Sequence, residues 1–321
     1  DGAPTVQNGL VVTGVCTATS FAGDGSNLTG IDSGLSSDSD GNTIGGTNAG
    51  DSITTGENNT TIGKDAGTAI TTGARNTAVG SLALDANTTA DNNTAVGYLS
   101  LSENTTGTRN TAVGAYALDA ATTVNDNTAF GYGALTSNTT GVENTAIGSG
   151  AMDQNTTGTD NTAVGWRALY TNNGNYNTAV GNYASYANTT GAQNVSVGMV
   201  ALTANTTGGG NVAVGANAMQ TNTTAGNCTA VGASALNASN AANNTAVGYH
   251  ALLSNTTGEK NVAVGAIALD ANTTGGNNTA LGYKALTANT TASDNTALGY
   301  GAMEANTTGA SNTAVGLFAL A

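Results

Sequence analysis

Basic residues are scarce: six Lys and Arg stand against twenty Asp and Glu, for a net charge of −14. Such a chain repels nucleic acid and anionic membrane surfaces, so no nucleic-acid partner is expected. No apolar run approaches the roughly 20 residues that cross a bilayer as a helix, so no membrane insertion is expected. The two cysteines, Cys16 and Cys228, lie far apart and form no disulfide framework. Cys228 stands where other units carry Asn211 or Asn244, and is expected to fill a small interior slot. The one histidine, His250, falls at a variable outward position with no convergent base or nucleophile. No enzyme activity and no cofactor are expected. Aromatics at 4%, charged residues at 8% and a single proline make the chain too regular for a globular enzyme, yet 39% apolar residues are too many for disorder.

Glycine is abundant, with 46 in 321 residues, and it is periodic. From Gly63 to Gly316 a glycine follows an aliphatic residue sixteen times, at intervals of 17 residues except for two of 16. The unit reads Asn-Thr-Ala-Val-Gly-x-x-Ala-Leu-x-x-Asn-Thr-Thr-Gly-x-x, as at 76–80 followed by Ala83, Leu84 and 87–89, and its residues are numbered one to seventeen below. A repeat this short cannot bury an apolar face alone, so neighbouring copies must stack. The expected fold is all-β: a parallel β-solenoid, or β-roll, of about sixteen coils at 41–321, with two or three short strands per coil. Residues 1–40 form a separate N-terminal segment in which 9–19 (GLVVTGVCTAT) read as a strand, 21–31 as a loop and 33–40 as a linker.

Within the unit, positions two and four alternate to one side, as a strand requires. They are expected inward. Position three is nearly always Ala, as at Ala78, Ala95, Ala112, Ala146 and Ala163, and is expected to pack against a neighbouring chain or sheet. A thin core and a second small-residue face together predict a trimer, with a single-chain solenoid as the alternative. Both short intervals lose a residue from the Asn-Thr-Thr-Gly stretch, which marks it as an exposed turn. The first units, around Ile44-Gly45 and Ile62-Gly63, are irregular: Gly67 replaces the usual Leu, and Ile53 and Ile70 replace the turn Asn. They read as a cap. The last unit stops after Leu320 without one, and docking of 9–19 from another subunit there would build a filament.

Units such as 127–140 (NTAFGYGALTSNTT) and 278–291 (NTALGYKALTANTT) resemble the repeats of phage and virus tail-fibre proteins. The Asn-Thr-Ala-Val-Gly-x-x-Ala core is similar, more distantly, to the head repeat of trimeric autotransporter adhesins, and 12–31 is similar to a module of the same fibre proteins. The resemblance implies an extracellular fibre at a cell surface or on a virion, commonly a homotrimer of parallel β-roll coils. The expected function is a rigid structural spacer that associates with itself, with adhesion as a second role. The alternative is a carbohydrate- or ice-binding surface module.

Two sets of residues are candidate sites. Aromatics at position six form an axial file, Tyr98, Tyr132, Trp166, Tyr249, Tyr283 and Tyr300, several of them two coils or about 9.6 Å apart, a spacing suited to stacking on surface glycans. The Asn-Thr-Thr copies at Asn87, Asn104, Asn138, Asn155, Asn188, Asn205, Asn222, Asn255, Asn272, Asn289 and Asn306 match the N-glycosylation acceptor pattern. The same residues also stabilise turns through side-chain to backbone bonds. Residues 38–42 (DSDGN) space oxygens as a calcium loop does but lack the distal Glu of an EF-hand, and read as a solvated linker with no metal.

Overall fold

A computed structural model describes residues 35–320, which form a parallel β-solenoid. Residues 9–19 and 21–31, with Cys16, lie outside the described residues. After β1 (Ser36–Ser37) each coil contributes one three-residue strand, from β2 (Thr43–Gly45), β3 (Thr60–Ile62) and β4 (Thr77–Val79) to β18 (Thr313–Val315). Successive strands pair in parallel with like residues opposed: Thr77 with Thr94, Ala78 with Ala95, Val79 with Val96. The two 16-residue steps keep that register, Ala163 facing Ala179 and Ala230 facing Ala246. β1 runs antiparallel on β2, where the Asp38 carboxylate accepts from the amides of Asp40 and Asn42 and from the Asn42 side chain.

One strand forms per coil, not two or three, because turns fill the remainder. Positions seven, nine and seventeen adopt left-handed backbone, as at Leu82 (φ +58), Leu84 (φ +54) and Asn92 (φ +62). The turns bond to neighbouring coils on both sides: the Leu82 amide donates back to the Lys64 carbonyl at 3.0 Å, and the Leu84 amide donates forward to Ser100 at 3.1 Å. A left-handed Leu costs on the order of 1–2 kcal/mol. Full burial of its side chain contributes about 1.5–3 kcal/mol, enough to offset that cost. At position five the requirement for glycine is absolute: a Cβ on Gly63 (φ +135) would lie 2.6 Å from the Gly80 carbonyl oxygen. The equivalent in the first coil is Gly46, whose Cβ would meet the Gly63 carbonyl, so the unit begins one residue later than the Ile44-Gly45 reading placed it.

The facing of the strand is the reverse of the expected one. Ala78, Ala95, Ala112, Ala146 and Ala163 are fully buried inside their own solenoid, packed with the position-eight Ala and position-nine Leu or Met. Positions two and four point outward, and Phe130, Ile147, Leu281 and Leu298 are exposed. The coil is too narrow for more than one large side chain per turn, and Leu84 and its equivalents supply it. The Ala column therefore makes no surface for another chain.

Two asparagine ladders satisfy most polar groups inside the rod, leaving Thr61 Oγ1, Asn104 Oδ1, Asn155 Oδ1 and Asn295 Nδ2 buried without a partner. Asn93 at position one donates its amide to the Asn76 side-chain oxygen below it at 2.9 Å, and Asn76 Nδ2 reaches across the coil to the Ala90 carbonyl at 2.8 Å. Asn87 at position twelve donates to the same carbonyl from the other side at 3.2 Å. Buried amides cost free energy unless paired. In most coils they tie both ends of the coil to one acceptor and stack along the axis. Cys228 enters the first ladder in place of Asn: its backbone amide meets Asn211 Oδ1 and its thiol donates to the Ala241 carbonyl at 3.2 Å.

Candidate functional site

The eleven candidate asparagines named above all stand at position twelve, and every one except Asn306, which is half-buried, is buried. Their Nδ2 atoms, the atoms a glycan would modify, are committed: Asn138 donates to Gly141 at 2.8 Å, and Asn205 donates to Gly208 at 2.9 Å and to Asn188 at 2.8 Å. The stretch read as an exposed turn is thus half interior, with Asn inside and the two threonines at the surface. A glycan at these positions is incompatible with the folded coil.

The position-six aromatics do reach solvent. Tyr98, Tyr132, Trp166, Tyr249, Tyr283 and Tyr300 are all exposed, Tyr132 the most at 63%. They do not form an even file, because rings at positions seven and ten join them into patches. Tyr116 meets Tyr98 and Tyr132 edge-on at 5.5 and 5.8 Å between centroids. Trp166 meets Tyr183 at 4.6 Å, and Tyr186 contacts both Tyr183 and Tyr170 at 5.1 Å. Tyr283 and Tyr300 lie 5.1 Å apart, and Tyr249 stacks on His250 at 3.8 Å. The sequence reading missed Tyr116, Tyr170, Tyr183 and Tyr186. Position seven is left-handed, which carries its side chain beside that of position six, and sequence spacing alone does not signal this.

Between Tyr132 and Trp166 the surface opens into a shallow cleft of about 120 Å³, lined also by Gly133, Gly150, Asp153 and Arg167. The Arg167 guanidinium lies over the rings of Trp166 and Tyr170 at 5.1 and 5.2 Å, which holds its charged head in place. Burial, followed by a hydrogen bond with Asp153, raises the Tyr170 hydroxyl pKa. Gln154 Nε2 donates to the Tyr170 hydroxyl at 3.2 Å. The cleft combines two exposed aromatic side chains, a cation held over aromatic rings and a carboxylate.

By its fold the chain is a tandem-repeat protein, a parallel β-solenoid built from 17-residue coils. No protein-family model matches it, and no curated protein matches it significantly.

Proposed function

We propose that this chain is a non-enzymatic, extracellular structural fibre element, a rigid spacer of the tail-fibre or adhesin-head kind that associates with copies of itself as a trimer or filament. The observation that carries this reading is the unbroken in-register stack from β2 to β18, hydrogen-bonded between coils at strand and turns and threaded by two asparagine ladders. A one-dimensional array of this kind sets length by coil number, at about 4.8 Å per coil, so seventeen strands span roughly 80 Å. The surroundings of the chemically capable side chains agree with a structural role. Cys228 is buried with its thiol pKa pushed up by desolvation, and the His250 ring is stacked on Tyr249. Lateral self-association falls naturally to the outward position-four column, since contiguous apolar surface marks contact sites.

Removal of whole coils tests the spacer. Deleting 245–312 joins Asn244 to Thr313 in the native frame, and the shortened rod should keep its assembly state while losing about 19 Å in electron micrographs. A shortened chain that changes its assembly state or loses its rod shape overturns the reading.

A further inference from the structure

At three places two position-six rings stand two coils apart with a small residue between them. Tyr98 and Tyr132 flank Ala115, and the Tyr116 ring fills the gap against both. Tyr249 and Tyr283 flank Ala266, which is followed by the bulky Ile267. Tyr132 and Trp166 flank Ser149, and here the next residue is Gly150, with Gly133 at the same position one coil earlier. The cleft is this third place, left open.

The backbone does not demand either glycine. Gly133 (φ +62) and Gly150 (φ +64) share the left-handed conformation that Leu82, Leu99, Tyr116 and Arg167 adopt at the same position. A Cβ on Gly133 would meet nothing nearer than Thr136 Oγ1 at 3.4 Å, and one on Gly150 nothing nearer than the flexible Arg167 Cγ at 3.3 Å. Side chains fit there, and their absence on two successive coils is what makes the cleft.

We propose that this cleft binds a neutral sugar ring, a function that goes beyond the structural role and does not depend on it. A pyranose has an apolar C–H face and a rim of hydroxyls that both donate and accept. Trp166 and Tyr132 offer exposed aromatic side chains to the first. Asp153 accepts from the hydroxyls and the Arg167 guanidinium donates to them. The two rings are separated by about 9.6 Å of axial rise, the reach of two linked sugars. One carboxylate balances one guanidinium, and the remainder of a chain of net charge −14 disfavours an anionic ligand. A neutral hexose or N-acetylhexosamine fits that balance.

Trp166 is the only tryptophan, so its fluorescence reports on the cleft directly. The probes are methyl β-glucoside, methyl β-galactoside, N-acetylglucosamine and their β-linked disaccharides, with sialic acid as the anionic comparison. Saturation-transfer NMR on the same mixtures provides a second readout. At least one neutral sugar should give a saturable response, stronger than sialic acid does. Gly150→Leu, which places in the cleft a residue already present at Leu82 and Leu99, should weaken binding about tenfold or more without moving the melting midpoint. Tyr132→Ala and Asp153→Asn should weaken it as well, and they serve as the test if Gly150→Leu does not fold. The proposal is overturned by silence in both measurements, by a preference for sialic acid, or by folded cleft variants that bind as well as the parent.

Discussion

The Ser185 hydroxyl donates to the Ser196 hydroxyl at 2.8 Å inside the rod, where the repeat would place Leu and Ala. The bond joins consecutive coils and coincides with a break in the apolar core, one cluster ending at Ala184 and the next beginning at Ala201. The Ser185 hydroxyl relies on Ser196, which itself also donates to the Thr178 carbonyl at 3.5 Å. Ser196→Ala should strand the Ser185 hydroxyl and cost about 1–3 kcal/mol. The double variant Ser185→Leu/Ser196→Ala restores the repeat and should exceed the parent in stability, since a buried Leu contributes about 1.5–3 kcal/mol. Urea unfolding of the single and double variants measures the coupling, and strictly additive effects would refute it.

Both short coils replace a lost backbone acceptor with an asparagine side chain. In a full coil the amides of Thr189, Thr190 and Gly191 converge on the Thr206 carbonyl of the next coil. In the short coils Asn173 Oδ1 accepts from the Thr156 and Thr157 amides at 2.8 and 3.0 Å, and Asn240 Oδ1 accepts from Thr223 and Thr224 at 3.1 and 2.9 Å. Deleting Thr206 alone should therefore destabilise the rod by about 1–3 kcal/mol, the cost of amides left without that acceptor. Adding Thr207→Asn to the deletion reproduces the natural short coil and should recover most of the loss. A deletion tolerated without the asparagine would show that the turn does not need this acceptor.

The facing of the strand separates stability from association. Ala112→Leu pushes into a filled interior and should cost about 1–3 kcal/mol at every protein concentration. Phe130→Thr and Ile147→Thr alter only the exposed column and should leave the melting midpoint within about 0.5 kcal/mol of the parent while weakening self-association in sedimentation. An Ala112→Leu chain that melts normally but fails to assemble would place the Ala column outside after all.

The period, the strand and the Leu core were legible in the sequence because each recurs in nearly every coil. The facing of the strand was not, since alternation marks two sides without saying which is inside. Val79 is larger than Ala78, and only the narrowness of the coil decides for the smaller residue. The asparagines were hidden by their composition, as Asn-Thr-Thr is the language of surface turns. In the irregular first coils, packing accounts for the missing Leu. A Cβ on Gly67 would come within 2.8 Å of Ile70 Cδ1 and 2.7 Å of Thr61 Cγ2, so Ile70 and Thr61 together fill the room of the missing Leu. The cleft was invisible because it arises where Ser149, Gly133 and Gly150 fall side by side on successive coils.

Asp270 gives a prediction about pH. In five coils a position-ten side chain donates to the position-seven carbonyl of the preceding coil, among them Thr203 to Tyr183, Thr136 to Tyr116 and Asn237 Nδ2 to Asn217, at 2.9, 3.1 and 2.9 Å. Asp270 stands at that position opposite the His250 carbonyl, and its Oδ1 is buried without a hydrogen-bond partner. An ionised carboxylate cannot donate, and partial burial raises the Asp270 pKa despite backbone hydrogen bonds from Ala271 and Asp270 and the nearby charges of His250 and Lys284. A carboxyl whose pKa is higher folded than unfolded binds protons preferentially in the native state. Its stabilising contribution is therefore present below the unfolded value near 3.8 and is lost as pH rises through the folded value. Asp270→Thr, which can donate at every pH, should stabilise the rod at pH 7 by about 0.5–1.5 kcal/mol, the worth of one hydrogen bond. That advantage should shrink on acidification as the parent carboxyl takes up its proton. Denaturant midpoints for parent and variant across the acid range decide it, and an advantage that is absent at neutral pH or unchanged in acid would dismiss this role for the carboxyl.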